Sequence, residues 1–331
     1  MVHKGELEKH DISCLQMLIE KYSPIYANEV FVIYGVSSHK SQEINMNHVN
    51  AFIDKFKYLT SRGFQQIDGI KPRPIAYLGN NKALTKTVFG HKIVVDTRDM
   101  SLAPHILLDG EWEAWIVQVF LNFVKPGMNV VDIGSNVGFY SLLAADKIGP
   151  GGTLTCFEAN SELASTLFHN LHLNGFHDRS KVVNKAVFSH TKKLDFKIYE
   201  NYMGSSSIWA NDEHAAIYHD KLKTVEIESV SLDEYFKENT KVDLLKIDAE
   251  GAEPFILKGA KRLLEANPDI IIIMEFAPSV IEVSYGSVDQ FYEDINGYGL
   301  KIYEIKTDSS LSLLSLTRLK EISWTDVVLK R

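Results

Sequence analysis

The chain is poor in cysteine and contains no long apolar run, and both shortages restrict what kind of protein it is. Its 331 residues include only two cysteines, Cys14 and Cys156, far apart in sequence, and Cys156 falls in an apolar, strand-like run. We therefore expect no disulfide framework and a reducing, cytoplasmic location. No stretch approaches the roughly 18 consecutive apolar residues of a membrane-spanning helix, and the polar first residues lack the apolar core of a signal peptide. An integral membrane segment is not expected.

Positive charge is also scarce. The 35 Lys and Arg residues are outnumbered by 43 Asp and Glu residues, which gives a net charge of -8. Nucleic-acid-binding proteins generally neutralise phosphates with Lys and Arg. The excess of acidic over basic residues therefore argues against a nucleic-acid partner. A hydrophobic content of 45% is enough for a sizeable core, and the length suits a main domain with an appendage.

Apolar spacing divides the chain into two regions. Helical patterns at 15–22 and 49–59 flank a strand-like run at 29–36, and a segment rich in Pro, Gly and Asn follows at 69–81. We predict a small N-terminal α/β extension over 1–85, of unknown role, and a main domain over 86–331.

Strands and helices alternate in the main domain, which predicts a mostly parallel, Rossmann-like α/β sheet with helices on both faces. Two alternating runs at 194–199 and 224–230 predict an insertion beside the site, and short strands at 300–305, 311–316 and 327–329 predict an antiparallel edge. Ligands of such sheets bind at the carboxyl ends of the strands. The predicted strands are 91–96, 130–133, 153–157, 181–187, 242–247 and 270–276, and the predicted helices are 111–123, 139–147, 161–173 and 253–265.

A glycine turn follows the predicted strand 130–133. Gly134 and Gly138 bracket it, and a predicted helix begins directly afterwards. Unpaired amides at a helix start hold anionic groups, and glycines let a ligand approach the main chain. Asn136 stands where a dinucleotide fingerprint has its second glycine, so a pyrophosphate fits this turn poorly.

Two acidic residues narrow the choice of ligand. Asp132 ends the strand before the turn and suits an ammonium group or its water. Glu158 ends the next strand, about 20 residues past the turn, where an acidic side chain accepts ribose hydroxyls. A ligand with one carboxylate, an ammonium and a ribose fits these positions, and S-adenosylmethionine has all three groups.

Residues from about 91 to 278 resemble the FkbM family of S-adenosylmethionine-dependent O-methyltransferases. Ser135 and Ala159 depart from the commoner residues of that pattern, and the region before about residue 85 is not covered. The motifs that carry the resemblance are Asp109-Gly-Glu-Trp-Glu113, Asp132-Ile-Gly-Ser-Asn-Val-Gly138, Phe157-Glu-Ala-Asn160, Lys185-Ala-Val187, Gly204-Ser-Ser-Ser207 and Leu245-Lys-Ile-Asp-Ala-Glu-Gly-Ala-Glu253.

The resemblance implies a seven-stranded class I methyltransferase fold whose members mostly methylate hydroxyls, often on sugars. It places the adenine near Ala186 and Val187. The cofactor contacts that it implies are Asp132, Gly134, Asn136, Gly138, Glu158 and Asn160.

The last motif supplies candidates for catalysis. Lys246 and Asp248 point to the same face, because side chains alternate along a strand. Methyl transfer to a hydroxyl requires in-line approach and removal of the hydroxyl proton, so a carboxylate at the strand end can accept that proton or orient the alcohol. Asp248 is the leading candidate, with Glu250 and Lys246 beside it; the alternative role for Asp248 is to cap the helix predicted near 253.

Other assignments of these acids stay open. Asp248, Glu250 and Glu275 are candidates to share Mg²⁺, which prefers carboxylate oxygens, although converging acids also serve as base and hydrogen-bond acceptors. His214 and His219, in the predicted insertion, are alternative bases. The sequence therefore predicts a methyltransferase acting on a sugar hydroxyl of a glycan or glycosylated metabolite. The alternatives are a nicotinamide-dependent oxidoreductase and a non-catalytic cofactor-binding scaffold.

Overall fold

The computed structural model describes residues 74–331, so the predicted helices and strand before residue 74 lie outside the described residues. The strands are β1 (Ala76–Gly79), β2 (Lys82–Lys86), β3 (Lys92–Asp96), β4 (Asn129–Ile133), β5 (Thr153–Phe157), β6 (Ser180–Val183), β7 (Ala186–Val187), β8 (Lys193–Tyr199), β9 (Leu222–Val230), β10 (Leu244–Ile247), β11 (Ile271–Phe276), β12 (Lys301–Ile305), β13 (Leu311–Leu313) and β14 (Thr325–Lys330). The helices are α1 (Ala103–Leu108), α2 (Ala114–Phe123), α3 (Phe139–Ile148), α4 (Ser161–Leu173), α5 (Asp212–Ile217), α6 (Leu232–Tyr235), α7 (Glu253–Lys258), α8 (Lys261–Ala266), α9 (Pro278–Ser284), α10 (Val288–Gly297) and α11 (Leu316–Glu321).

The central sheet has eight strands in the order β13-β12-β14-β11-β10-β4-β5-β6. Strands β11, β10, β4, β5 and β6 run parallel, while β14, β12 and β13 pair antiparallel at one side. This confirms the predicted α/β class and its antiparallel edge. The expected number of strands was seven, and the eighth is the three-residue strand β13 at the rim.

Helices cover both faces of this sheet, because successive side chains of each strand point to opposite sides. Val130 packs in a core with α2, α3 and α4, whereas Val131 and Ile133 pack in a second core with α7, α8, α10 and α11. None of the described helices is long and apolar enough to cross a membrane.

The topology of the sheet locates the ligand crevice. The chain runs outward from β4 to β5 and β6, and then β10 pairs on the opposite side of β4. Strand order thus reverses between β4 and β10, and open α/β sheets bind ligands outside the carboxyl ends of their strands at this point. The glycine turn and the Asp248 loop both begin there.

Some predicted elements are divided. The run 181–187 splits into β6, in the central sheet, and β7, in a separate sheet of order β7-β9-β8, because the Asn184 amide between them donates to the carbonyls of Glu158 and Ala159. The helix 253–265 breaks into α7 and α8 at Gly259, where a Cβ would lie 2.4 Å from the Phe188 carbonyl oxygen.

Two boundaries also differ from the predictions. Helix α2 begins at Ala114 rather than near 111, because Glu113 adopts a left-handed conformation with φ 50°. The run 311–316 ends as a strand at Leu313, and Leu316 opens α11 with Ser315 as its cap. The predicted division of the chain after residue 85 falls within β2, which pairs with β3. The extent and the role of the N-terminal extension stay predictions.

Candidate active site

The turn after β4 is fixed by its backbone. Gly134, Asn136 and Gly138 all have positive φ, at 73°, 50° and 97°. The amides of Gly134 and Ser135 donate to the Phe157 carbonyl at 2.9 and 3.1 Å, which ties the turn to the end of β5. Asn136 therefore takes the left-handed conformation that a glycine would adopt at the centre of the turn, and helix α3 begins directly behind it.

The two glycines of the turn are required by packing. A Cβ on Gly134 would lie 1.7 Å from the Asp248 carbonyl oxygen, and a Cβ on Gly138 would lie 2.5 Å from Cδ1 of Leu167. These glycines were expected to let a ligand approach the main chain, but neighbouring protein atoms occupy the space beside their Cα atoms. The turn after β4 and the loop after β10 are consequently in direct contact.

Asp132 is buried beneath the turn, with 2% of its surface exposed. Its Oδ2 accepts a hydrogen bond from the Ser141 hydroxyl at 2.5 Å, while its buried Oδ1 has no hydrogen-bond partner among the described residues. Burial raises the pKa of Asp132, and the Lys246 ammonium opposes that rise. A buried carboxylate oxygen without a donor fits the ammonium group, or a water bound to it, that the sequence predicted.

Glu158 connects the turn to the next helix. Its Oε2 accepts from the Asn136 amide and its Oε1 from the Asn160 amide, both at 2.8 Å. Asn160 in turn caps α4 by accepting from the Glu162 amide at 2.9 Å. Burial raises the pKa of Glu158 to about 7. Each carboxylate oxygen retains a lone pair for a ribose hydroxyl, so the predicted contact is compatible with these bonds.

The residues predicted beside the adenine lie just past this point. Ala186 is half-buried, whereas the Val187 side chain is buried in the core with Phe157. Their contact with the adenine stays a prediction.

A row of acidic residues crosses the carboxyl ends of the central strands. Lys246 is paired with Asp132, Asp248 follows the pair Ile247 and Met274, and Glu275 is paired with Asp326. Strand alternation places all of these charged side chains on the face covered by α2 and α3. The charged residues of this row are Asp132, Lys246, Asp248, Glu275 and Asp326.

Lys246 is the buried cation of this row. Its Nζ lies 3.1 Å from Oδ2 of Asp248 and 4.4 Å from the centroid of the Tyr140 ring. Burial acts to lower the pKa of Lys246, but the carboxylates of Asp248 and Asp132 outweigh it and hold that pKa above its ordinary value. Lys246 therefore stays charged and fixes the position of Asp248, whose side chain is 39% exposed.

The loop after β10 gathers more acids. Oxygens of Asp248, Glu250 and Glu275 all lie within 4.8 Å of one another, and the Trp324 indole N–H donates to Glu275. Glu253 is buried and accepts from the Ala249 amide at 2.9 Å. Helix α7 is capped by Ala252 without a side-chain bond, so Asp248 does not cap it. The three candidate metal ligands are brought together, and Asp248 is left facing the crevice.

Sequence reasoning missed two acids. Glu113, directly before α2, accepts from the Tyr140 hydroxyl at 3.2 Å and interacts electrostatically with Asp248 and Lys246. Asp326 lies in the same row, opposite Glu275, and its buried Oδ2 has no hydrogen-bond partner within residues 74–331. The motif ending at Glu113 marked the region without assigning a role. Asp326 is found only once the register of β14 against β11 is known.

The predicted insertion does border the site. The Gly204 amide donates to the Ser101 hydroxyl at 3.2 Å, and a Cβ on Gly204 would lie 3.4 Å from Nδ2 of Asn136. The Trp209 ring stacks on Phe255 with centroids 5.6 Å apart, and its edge faces Gly251.

The histidines of the predicted insertion are less informative. His214 lies within α5, and His219 is exposed in the turn that follows it. Their role as alternative bases stays a prediction.

Comparison with known proteins identifies the class. The sequence model of the Methyltransferase FkbM domain matches residues 132–298, and the chain belongs to this family. A curated relative, "Methyltransferase sdnD" of Sordaria araneosa, is 27% identical over 155 residues, which cover 39% of this chain and 59% of that protein. The chain thus spans about three fifths of the relative's length.

Solved structures of the same general kind are only distantly similar. Methyltransferase FkbM from Methylobacillus flagellatus KT is 14% identical, with a TM-score of 0.37, over 63% of this chain and 49% of that chain. The O-methyltransferase from Bacillus cereus in complex with SAH is 15% identical, with a TM-score of 0.35, over 66% and 80%. The matched region is therefore a methyltransferase FkbM domain, which is a different class from the nicotinamide-dependent oxidoreductase alternative.

Proposed function

We propose that the protein transfers the methyl group of S-adenosylmethionine to a hydroxyl of a sugar, in a glycan or a glycosylated metabolite. The observation that carries this proposal is the direct contact between the turn after β4 and the loop after β10. Because Gly134 lies against the Asp248 carbonyl, a ligand held by the turn has the partly exposed Asp248 carboxylate beside it.

The residues of the turn fit the methyl donor. The unpartnered Oδ1 of Asp132 suits its ammonium, the amides between Gly134 and Gly138 suit its carboxylate, and Glu158 suits its ribose. When bound, S-adenosylmethionine supplies a methyl group made electrophilic by the sulfonium.

The acceptor side of the site favours a sugar. Asp248, held by Lys246, and the neighbouring Glu250 present carboxylate oxygens that accept hydrogen bonds from hydroxyls. Trp209, beside Gly251, adds the aromatic surface on which the apolar face of a sugar ring packs. A polyhydroxylated ring satisfies both features. The free, buried Cys156 supports the cytoplasm as the place of the reaction.

We also propose that Asp248, Glu250 and Glu275 bind Mg²⁺. Carboxylate oxygens within 4.8 Å of one another can share one cation, and Mg²⁺ prefers such oxygens together with waters and substrate. Chelation with EDTA is expected to slow methyl transfer, and added Mg²⁺ to restore it. Transfer that is unaffected by EDTA would contradict the metal and leave the methyltransferase proposal intact.

The test of the function is transfer of labelled methyl groups from S-adenosylmethionine into methyl hexosides, deoxyhexosides and fractionated extract of the source organism. We expect a product whose label lies on an oxygen of a sugar, as located by NMR. A product methylated on nitrogen or carbon would overturn the proposal. Binding of S-adenosylhomocysteine without any transfer would favour the scaffold alternative.

Asp248→Asn is the corresponding variant. It keeps the shape of the side chain but removes the charge that faces the acceptor, so we expect transfer to fall by roughly 100-fold or more while S-adenosylhomocysteine binding is retained. Asp269→Asn, in an exposed turn, is the matched control and should transfer at the wild-type rate. Wild-type turnover in Asp248→Asn would remove its proposed role.

A further inference from the structure

Glu113 reaches the acidic row from outside the central sheet. It directly precedes α2 and adopts a left-handed conformation, with φ 50° and ψ 56°, and its carboxylate interacts electrostatically with Asp248 and Glu275 at the ends of β10 and β11. Its Oε2 accepts the Tyr140 hydroxyl hydrogen at 3.2 Å. Within the described part of the chain, no hydrogen bond is made to its Oε1.

Glu113 and Asp248 differ in their partners. Asp248 is 3.1 Å from the Lys246 ammonium, which lies against the Tyr140 ring. Glu113 contacts the neutral hydroxyl of Tyr140, and the Lys246 ammonium acts on it without an ion-pair contact. One carboxylate is therefore compensated by a cation in contact, and the other only by the same cation at longer range.

Three other acids of the site are less suited to contact an acceptor. Glu253 is buried and accepts from the Ala249 amide, Glu275 accepts from the Trp324 indole, and Oδ2 of Asp326 is buried. Glu250 lies beside Asp248 and Glu275, where we have proposed a cation. Burial raises the pKa of Glu113, and the carboxylates of Asp248 and Glu275 raise it further against the opposing Lys246 ammonium and Tyr140 hydroxyl. A carboxylate with a raised pKa is a better proton acceptor near neutral pH.

We propose that Glu113 is the catalytic base, which takes the proton of the acceptor hydroxyl while Asp248 orients that hydroxyl. The inference rests on the proposed function. In the step, the acceptor oxygen forms a bond to the methyl carbon and the bond from that carbon to sulfur breaks with its electron pair left on sulfur. The hydroxyl proton passes to Oε1 of Glu113, so that charge and atoms balance.

The first test needs no acceptor. A base beside the transferred methyl lies close to the positive sulfonium of S-adenosylmethionine, which S-adenosylhomocysteine lacks. Glu113→Gln keeps the size of the side chain and an acceptor for Tyr140, so we expect little change in S-adenosylhomocysteine affinity by calorimetry. The preference for S-adenosylmethionine should fall by roughly three- to tenfold. Glu265→Gln, exposed on α8, is the control, and its preference should equal that of the wild type.

The second test is the pH profile of methyl transfer into the wild type's best sugar acceptor. Wild-type transfer should rise with pH as Glu113 ionises, under the influence of Asp248, Lys246, Glu275, Asp326 and Tyr140, which all face it. In Glu113→Gln, the rate of transfer should fall roughly 100-fold or more, and its rise with pH should disappear. In Glu113→Asp, part of the rate and part of the pH dependence should return.

The outcomes separate the two proposals. Wild-type rates and an unchanged donor preference in Glu113→Gln would overturn the role of Glu113 and leave the function standing. Absence of transfer by the wild type to every sugar would overturn the function, and the donor preference would then decide whether Glu113 lies beside the methyl. If Glu113→Gln does not fold, Glu113→Asp decides: slowed transfer with a retained preference supports the role, and wild-type transfer contradicts it.

Discussion

At the scale of single residues, Gly134 joins the two parts of the site. It needs a left-handed backbone, and it also needs the space that a Cβ would take from the Asp248 carbonyl. One position thereby controls both the turn that would hold the methyl donor and the loop that carries Asp248.

Gly134→Ala is therefore expected to destabilise the fold by more than the cost of a left-handed backbone at a non-glycine residue. We expect a loss of more than about 2 kcal/mol in the free energy of unfolding and a weakening of S-adenosylhomocysteine binding. Gly175→Ala is the control, because Gly175 has a similar φ of 76° with no atom of the described residues within 4 Å of its Cβ position. Equal losses in the two variants, measured by thermal unfolding, would show that the Asp248 contact is unimportant.

The residues that sequence reasoning found and missed differ in one respect. Asp132, Lys246 and Asp248 follow predictable strands, so alternation alone placed them at one edge and on one face. The position of Glu113 depends on its own left-handed backbone conformation directly before α2, and apolar periodicity does not reveal such a conformation. The roles of Asp132, Lys246 and Asp248 in contacting the methyl donor or the methyl acceptor stay predictions.

At the scale of elements, the pairing of β11 with β14 places two acids opposite each other. Glu275 and Asp326 are partners in the antiparallel register, and like charges directly opposite destabilise a sheet. Burial raises the pKa of Asp326, and the carboxylates of Glu113 and Glu275 add to the rise. The pair therefore carries a cost in stability wherever Asp326 is ionised.

Asp326→Asn should consequently stabilise the fold. We expect a gain of roughly 0.2–1 kcal/mol in the free energy of unfolding, larger at pH 9 than at pH 5.5, because protonation already relieves the repulsion at low pH. Chemical denaturation at the two pH values measures it, with Asp269→Asn as the exposed control. A loss of stability at both pH values would mean that the Asp326 charge is compensated by a partner.

The element-level predictions failed where tertiary pairing decides. Residues 181–187 form one continuous strand-like run, and only the bonds of Asn184 to the end of β5 divide it between two sheets. The helix 253–265 is continuous in its apolar spacing, and its break at Gly259 follows from close packing against Phe188. Central strands and the helices α3 and α4 were predictable because their apolar patterns are long and unambiguous.

At the scale of the whole molecule, the buried acids link stability to pH. Burial raises the folded-state pKa of Glu158 to about 7 from its usual 4.5, and it raises the pKa values of Asp132, Glu113, Glu253 and Asp326 as well. At a pH between the unfolded-state and the folded-state pKa of each acid, the folded state binds more protons than the unfolded state. The free energy of unfolding therefore falls as pH rises through this window.

We expect a melting temperature that decreases from pH 5 to pH 8. Glu158 alone accounts for a loss on the order of 3 kcal/mol. Glu158→Gln should flatten the dependence, as measured by calorimetry over a pH series. A melting temperature that rises steadily across this window would contradict the raised pKa values.

The central claim is that the turn from Asp132 to Gly138 holds S-adenosylmethionine beside the acids at the end of β10. Calorimetric titration of the full chain with S-adenosylhomocysteine tests it most directly, since it requires no knowledge of the acceptor. We predict one site per chain with a dissociation constant of roughly 1–100 μM, and weaker binding by Gly134→Ala. Absence of binding at millimolar S-adenosylhomocysteine would contradict the account.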